Sequence, residues 1–408
     1  MTASSLANTI HHGPWLTALL SLLLGFASIS TDLYLPALPT MSVALGADRG
    51  TLELTVSSYL LGFSLGQLFW GPVSDRYGRK LPLLCGLAIF IAGAAGCALS
   101  TGAWRLVGWR VVQALGASAA FVIGRAMVRD LFDRNDAARM LSTLMMIMGI
   151  APLLGPTIGA QILAISSWQY ISWSLVGMRA VTFAAVCRLA EPLPPARREH
   201  GALLGKFATY LEHLRNPALM LYAGILGFSA AGLFAYVAGS AFVFIQFYGL
   251  SAEVYGLVFA SSIVGIMLAN AVNRRLLPRY GSDRLMLAGA ICGGVAAFFV
   301  ALLAWTGWGG MAAFLVALWF FVAMGGMIGA NAVAGGLTSV VKGTGSASAL
   351  LGCAQYGGGM IGAGLVSALS QGTPAPLGLV VLMSSLAAGA CAIAIARRLL
   401  AEGATAPT

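Results

Sequence analysis

Apolar stretches of about twenty residues, the length that crosses a bilayer as a helix, follow one another along almost the whole chain. Short polar turns separate them. None shows the every-second-residue alternation of a half-buried strand, so helices are predicted. The spans fall at 15–38, 52–74, 81–101, 104–128, 137–165, 168–189, 217–243, 253–276, 285–306, 309–338, 346–370 and 374–398. Trp15, Trp70, Trp104, Trp168, Trp305 and Trp308 mark many of the ends, where interfacial aromatics belong. The longest polar stretch, 190–216, holds Pro192, Pro194 and Pro195 and divides six spans from six. The expected units are a first bundle over 1–190, a cytoplasmic linker over 191–216 and a second bundle over 217–408.

Composition supports a membrane solvent. Of 408 residues 59% are hydrophobic and 9% charged, against roughly a quarter charged in a soluble domain. Backbone polar groups find no water in lipid, which leaves helices as the spanning form for such runs. With the N-terminus placed in the cytoplasm, 19 of the 23 basic residues, Arg125 among them, fall on the inner side. The outer loops keep Arg49 and Arg105. This bias predicts both termini inside. The net charge of +10 is spread over six segments, so it is a topology signal and no nucleic-acid partner is expected. Six cysteines without CxxC spacing, and four histidines outside the spans, suggest no metal site, no disulfide framework and no cofactor. Residues 1–14 carry no Lys or Arg, so span 1 is expected to be retained rather than cleaved as a signal peptide.

Charge inside the spans is scarce. Asp32 is the one acid placed inside a span; the other twelve acids are assigned to loops or span ends. Arg110 and Arg179 are the bases placed inside. Intramembrane ionisable groups are costly and mark function by default. Asp32 lies six residues before Leu38 and Arg110 six after Trp104, the outer ends of their predicted spans. At ~1.5 Å per residue both are roughly 9 Å deep, so a pair, direct or through water, is expected. Desolvation favours a neutral carboxyl and a nearby guanidinium the charged one. Asp32 is therefore the candidate proton carrier and Arg110 the group that sets its affinity. Arg179 has no acid at matching depth and is expected to face lumen water or a backbone carbonyl.

Motifs narrow the reading. The loop after span 2 runs Gly71-Pro72-Val73-Ser74-Asp75-Arg76-Tyr77-Gly78-Arg79-Lys80, a tight charged hairpin. Span 4 carries Arg110, Gln113 and Gly116 in an R-x-x-Q-G-x-G pattern, with Ala114 in place of the first glycine. Span 5 carries Gly149, Pro152, Gly155, Pro156 and Gly159, and span 1 closes Thr31-Asp32-Leu33-Tyr34-Leu35-Pro36. On these residues the chain resembles the major facilitator superfamily, its drug:proton antiporter branch, and within it the bicyclomycin- and chloramphenicol-resistance (Bcr/CflA) exporters. The stretches 234–244 and 345–352 are similar to the same group. The resemblance implies an all-α membrane fold, twelve transmembrane helices in two pseudo-symmetric six-helix bundles. It implies proton-coupled export of small, largely hydrophobic drugs by alternating access. It further implies Asp75 near the N-terminus of span 11 around Ser346, Arg79 reaching Asp130, and a monomer in the bacterial inner membrane.

The second half repeats the hairpin in degraded form, with Pro278 at the place of Asp75. Its spans 7 and 10 carry no counterpart of Asp32 or Arg110, so apolar walls are expected from it. Candidates for lining a substrate are Tyr34, Phe228, Phe234, Tyr236, Phe259, Gln355 and Tyr356; ordinary packing is the alternative for each aromatic. Gly62, Gly66, Gly155 and Gly159 have the small-xxx-small spacing of close helix pairs; the resemblance implies that their spans form the contact between halves, and ordinary helix packing is the alternative. An importer or metabolite exporter on the same fold is the nearest rival. An intramembrane enzyme lacks paired acids, a Ser–His set and metal ligands. A channel lacks a ring of charge.

Overall fold

The computed structural model describes residues 14–132, 134–195, 198, 210–340, 344–370 and 372–404. His11, His12, Arg197, His200, Lys206 and Lys342 lie outside them. Among the described residues twelve long helices follow in order. They are α1 Pro14–Asp32, α2 Arg49–Tyr77, α3 Lys80–Ala98, α4 Ala103–Leu131, α5 Arg134–Ile165 and α6 Gln169–Cys187. Then come α7 Pro217–Ala241, α8 Ala252–Tyr280, α9 Ser282–Thr306, α10 Gly310–Thr338, α11 Thr344–Ala368 and α12 Ala375–Ala404. Nine of these are long and apolar enough by themselves to cross a membrane, among the described residues. A tenth span results if the bent pair Trp15–Phe26 and Ile29–Ala44 counts as one. α2 and α5 complete the twelve as helices of 29 and 32 residues.

Local chemistry sets the ends. Asp48 caps α2: its Oδ2 accepts from Thr51 N at 2.9 Å and its Oδ1 from Thr51 Oγ1 at 2.6 Å. Ser251 caps α8 by accepting from Val254 N. Asn216 Oδ1 accepts from Ala218 N and Leu219 N, with Pro217 opening α7. An N-cap acceptor satisfies amides that the first turn leaves bare, and proline suits the first helical position. α2 and α8 end on Gly78 (φ 91°) and Gly281 (φ 76°), a region open to glycine alone at low cost. Caps and glycines recur at the same spacing: Asp48 and Ser251, like Gly78 and Gly281, stand 203 residues apart. The repeat is therefore visible in local geometry as well as in the loop sequence.

Two seams join the halves. Along α2 and α11 three hydrogen bonds recur every seventh residue: Ser367 Oγ to Gly50 O (2.5 Å), Ser57 Oγ to Met360 O (2.8 Å) and Ser64 Oγ to Cys353 O (3.2 Å). A seven-residue period keeps two antiparallel helices facing each other. Gly352 fits against the Gln67 amide and Gly364 against Ser57 Oγ. The second seam sets Gly256 of α8 on Pro156 and Thr157 of α5.

Gly62 and Gly66 are not at a seam, contrary to expectation. A Cβ at Gly62 would strike the Val111 carbonyl and one at Gly66 the Ser118 hydroxyl, so both seat α2 on α4 inside the first bundle. Gly116 likewise fits against Gly86 and Phe90 of α3.

Candidate functional site

Span 1 breaks at the acid it carries. α1 ends at Asp32, a 3-10 turn occupies Leu35–Ala37, and a short helix runs Leu38–Ala44. A separate bend of 45° lies earlier in the span, between Trp15–Phe26 and Ile29–Ala44. Pro36 and Pro39 lack the amides that would continue the first helix. The outer end is thus Ala44 rather than Leu38. Leu33, Leu35, Ala37 and Leu38, which follow Asp32 towards that end, are all 3% exposed or less.

Two motif glycines of α5 seat this break. A Cβ at Gly155 would stand 2.8 Å from Asp32 Cβ, and one at Gly159 would overlap the Leu33 carbonyl oxygen. Both therefore pack α5 on span 1 rather than on the second bundle. Gly149 differs: a Cβ there meets nothing within 4 Å. Pro152 and Pro156 lie inside α5.

Asp32 is 6% exposed and has no ion pair among the described residues. The expected partner does something else. Arg110, 1% exposed, lies with its Cζ 4.5 Å over the Tyr34 ring and 4.4 Å over that of Tyr59. Its Nη1 donates to Gln113 Oε1 at 2.8 Å and to Ser30 O at 3.2 Å. Ser30 Oγ and Tyr59 OH are 2.6 Å apart. Two ring faces offer a guanidinium an attraction of order 1–2 kcal/mol each when desolvated, which explains how Arg110 stays buried apart from the acid.

The second half comes to Asp32 with phenols. Tyr236, Tyr255 and Tyr356 all lie within electrostatic range of its carboxyl. Tyr236 stacks on Phe259 at 5.4 Å and shares a 3.1 Å hydrogen bond with Ser262. Tyr356 meets Phe63 at 4.5 Å, Phe234 at 6.1 Å and Phe121 at 6.4 Å. Tyr236 and Tyr356 thus lie within range of Asp32 with Phe259 and Phe234 packed on them, and Tyr34 lies against Arg110. Two candidates differ. Phe228 is 43% exposed and has no ring contact among the described residues, and Gln355 lines a cavity of the second bundle.

Three buried charges lie where the sequence does not put them. Arg179 is fully buried with its Cζ 4.0 Å over Phe26 and 5.0 Å over Phe90, and its three guanidinium nitrogens have no partner among the described residues. It meets neither lumen water nor a carbonyl. Arg125, counted above as cytoplasmic, is half-buried in α4, 3.9 Å over Phe121 and near Tyr356. Glu53, assigned above to a span end, is 2% exposed in the second turn of α2, one turn from Arg49 and beside Ser370. The predicted spans 104–128 and 52–74 do enclose Arg125 and Glu53; that was the available signal.

At the hairpin, Arg79 gathers the charges. Its Nη1 donates to Asp75 Oδ1 at 2.6 Å and to Ser74 Oγ at 2.8 Å; its Nε donates to Asp130 Oδ2 at 2.7 Å. Burial alone would lower its proton affinity, but the Asp130 and Asp75 carboxylates outweigh that and hold the guanidinium above its ordinary value. Glu191, which no motif marks, accepts from Arg79 N (2.7 Å) and Lys80 N (3.1 Å) and so caps α3. Lys80 Nζ reaches Cys187 O, and Arg76 lies over the Tyr77 ring. Gly78 turns the hairpin at positive φ. Asp75 also lies near Tyr210, whose phenol is pushed up by burial and by the neighbouring Cys353 and Asp75.

A family model described as Major Facilitator Superfamily matches residues 20–363. An uncharacterized MFS-type transporter, YdgK, of Bacillus subtilis (strain 168) is 35% identical over 256 residues, 62% of this chain and 63% of that protein. A bicyclomycin resistance protein homolog of Haemophilus influenzae is 28% identical over 85% of this chain and 87% of its own length. Multidrug resistance protein D of Escherichia coli (strain K12) is 28% identical over 95% of this chain and 97% of its own. Among solved structures, a D-xylose–proton symporter superposes with a TM-score of 0.69 at 16% identity, covering 91% of this chain and 96% of that one. That likeness concerns the fold alone.

Proposed function

The chain belongs to the Major Facilitator Superfamily, a family of multi-pass membrane transporters, and we propose that it exports small, largely apolar drugs from the cytoplasm in exchange for protons. The observation that carries this reading is Asp32: a buried carboxyl without an ion pair among the described residues, set where α1 ends, with three phenols of the second bundle within electrostatic range. An acid so placed can trade its proton with whichever side the cavity faces. The relatives named for resistance to bicyclomycin and to many drugs support the choice of cargo.

In this reading Asp32 takes a proton from outside and yields it to the cytoplasm as drug leaves. Arg110, held by Tyr34, Tyr59 and Gln113, fixes the field around it. Phe63, Phe234, Tyr236, Phe259 and Tyr356 form the apolar walls. Gly155 and Gly159 keep the break of span 1 against α5. The Asp75–Arg79–Asp130 cluster latches the cytoplasmic ends, and the units 1–190 and 217–408 rock about the linker 191–216. The α5–α8 seam engages the outer halves of its helices, while the α2–α11 seam runs from Gly50 past the midpoint of α2 to Gln67. The positive-inside bias supports cytoplasmic termini in a bacterial inner membrane, and the chain works there as a monomer in lipid.

The test is a resistance profile. A drug-sensitive bacterial host expressing the chain should survive neutral lipophilic drugs such as chloramphenicol. A protonophore, or Asp32→Asn, should remove that protection. Protection that persists with the protonophore would contradict proton coupling.

A further inference from the structure

The second bundle holds a cavity of about 80 Å3 among α7, α9, α10 and α12, with Gln355 of α11 at its border. A single water needs roughly 10–15 Å3 by comparison, so about five would fit. A void of about 150 Å3 that stays dry and lodges benzene is roughly twice this size. The walls are apolar except for Ser229, Gln355 and Ser385. Ser229 Oγ is sealed and has no hydrogen-bond partner among the described residues. Other span serines, such as Ser21, Ser174 and Ser261, bond back to a carbonyl of their own helix.

The first bundle fills the matching space. The repeat spacing of 203, fixed by Gly78 and Gly281, maps Phe26 onto Ser229 and Phe90 onto Gly293. Arg179 and Ser385 are each the eleventh residue of their helices, α6 and α12. In the first bundle Phe26 and Phe90 meet edge to face at 5.5 Å under the Arg179 guanidinium. In the second all three positions line the cavity, and both rings are missing. Two glycines of α10 widen it: a Cβ at Gly325 or Gly329 meets nothing within 4 Å. Gly358 and Gly362 of α11, by contrast, bring backbones together with Gly227 and Ala231. Gly325 and Gly329 make room instead.

We propose that this cavity is a ligand site for one aromatic ring of a neutral molecule bearing a single hydrogen-bonding substituent. The ring takes the place that Phe26 and Phe90 occupy in the first bundle, and the substituent pairs with Ser229. As a subsite for cargo it rests on the export reading; as a ring-binding site it does not.

The experiment uses the full-length protein in detergent and a small neutral aryl carbene precursor, 3-trifluoromethyl-3-phenyldiazirine, with benzyl alcohol as competitor. Photolabel should appear on the peptides carrying Ser229 and Gln355 and fall at least tenfold under excess benzyl alcohol. Gly329→Leu, which fills the cavity, should abolish that displaceable label. Gly294→Leu, on α9 but outside the cavity lining, should leave it intact. Should Gly329→Leu not fold, Ser229→Phe places a ring there from the protein's own side and should give the same loss. Label absent from these peptides, or unaffected by both fillings, would overturn the site. Chloramphenicol export measured alongside separates the two ideas. Export lost with Gly329→Leu supports the subsite, and export unchanged by it overturns the cargo role. A wild type that exports nothing contradicts the transport reading but leaves the photolabel result standing.

Discussion

The motif of α5 offers a sharp test, because its three glycines meet different surroundings. An alanine at Gly155 would bring its Cβ to 2.8 Å from Asp32 Cβ, against an ordinary contact of 3.4 Å or more. The 0.6 Å difference must be taken up by span 1 or by α5. At Gly159 the overlap is with the Leu33 carbonyl oxygen, part of a backbone that cannot swing aside. Overpacking of this kind costs about 1–3 kcal/mol. Gly→Ala in a helix interior returns roughly 0.5–1 kcal/mol. A net loss of up to about 2 kcal/mol is expected at Gly155 and Gly159, and a small gain at Gly149, where nothing lies within 4 Å. Function should suffer more than stability, since displacing a reacting group by about 1 Å can cost on the order of a hundredfold. The assay is thermal stability in detergent beside drug efflux in cells, for the three single variants at matched expression. Gly149→Ala should match the wild type in both; Gly159→Ala should lose most of its efflux. Equal effects at all three positions, or full efflux with Gly159→Ala, would refute the claim that these glycines seat Asp32.

Two further outcomes follow from the buried guanidiniums. Arg79→Ala strips Asp75 and Asp130 of their shared partner; with these acids about a third and a fifth exposed, the loss should be about 2 kcal/mol rather than the ~3–5 of a fully buried pair. Proteolysis of the cytoplasmic hairpin should speed up and efflux should drop, and unchanged digestion would argue against a latch. Arg110→Lys keeps the charge but not the planar stack between Tyr34 and Tyr59 or the geometry to Gln113, so it should fail to restore efflux. Wild-type efflux in that variant would show that charge alone matters there.

The spans were legible because lipid removes the usual ambiguity: a run of apolar residues long enough to cross has one regular form. Helix ends were legible where a side chain caps them, as at Asp48 and Asn216. Less legible was which neighbour a helix face meets. Gly62 and Gly66 share the spacing of an inter-bundle contact yet serve α4, because spacing marks a close approach without naming the partner. The same limit separates Arg110 from Asp32: a residue count from a predicted span end fixes no azimuth, and with the outer end at Ala44 it no longer gives equal depth, while the Tyr34 and Tyr59 rings are the partners Arg110 meets. Glu53 and Arg125 sit within a turn or two of helix ends, where a long side chain can reach out to water or fold back into the protein; only packing decides. Glu191 acts across 112 residues on the amide of Arg79, a distance no local pattern encodes. The break at Asp32 had a signal in Pro36 and Pro39. Their consequence, a buried acid at the end of α1 with Gly155 and Gly159 against Asp32 and Leu33, required the packing of α5.

The central claim is that Asp32 carries the transported proton. The direct measurement is proton release on drug addition, read with a pH-sensitive dye in weakly buffered, detergent-solubilised protein. Wild type should release protons in proportion to bound drug, with the release saturating as the drug does. Asp32→Asn, which keeps size and hydrogen bonding but cannot titrate, should bind drug and release none. Equal release from Asp32→Asn and wild type would contradict the assignment.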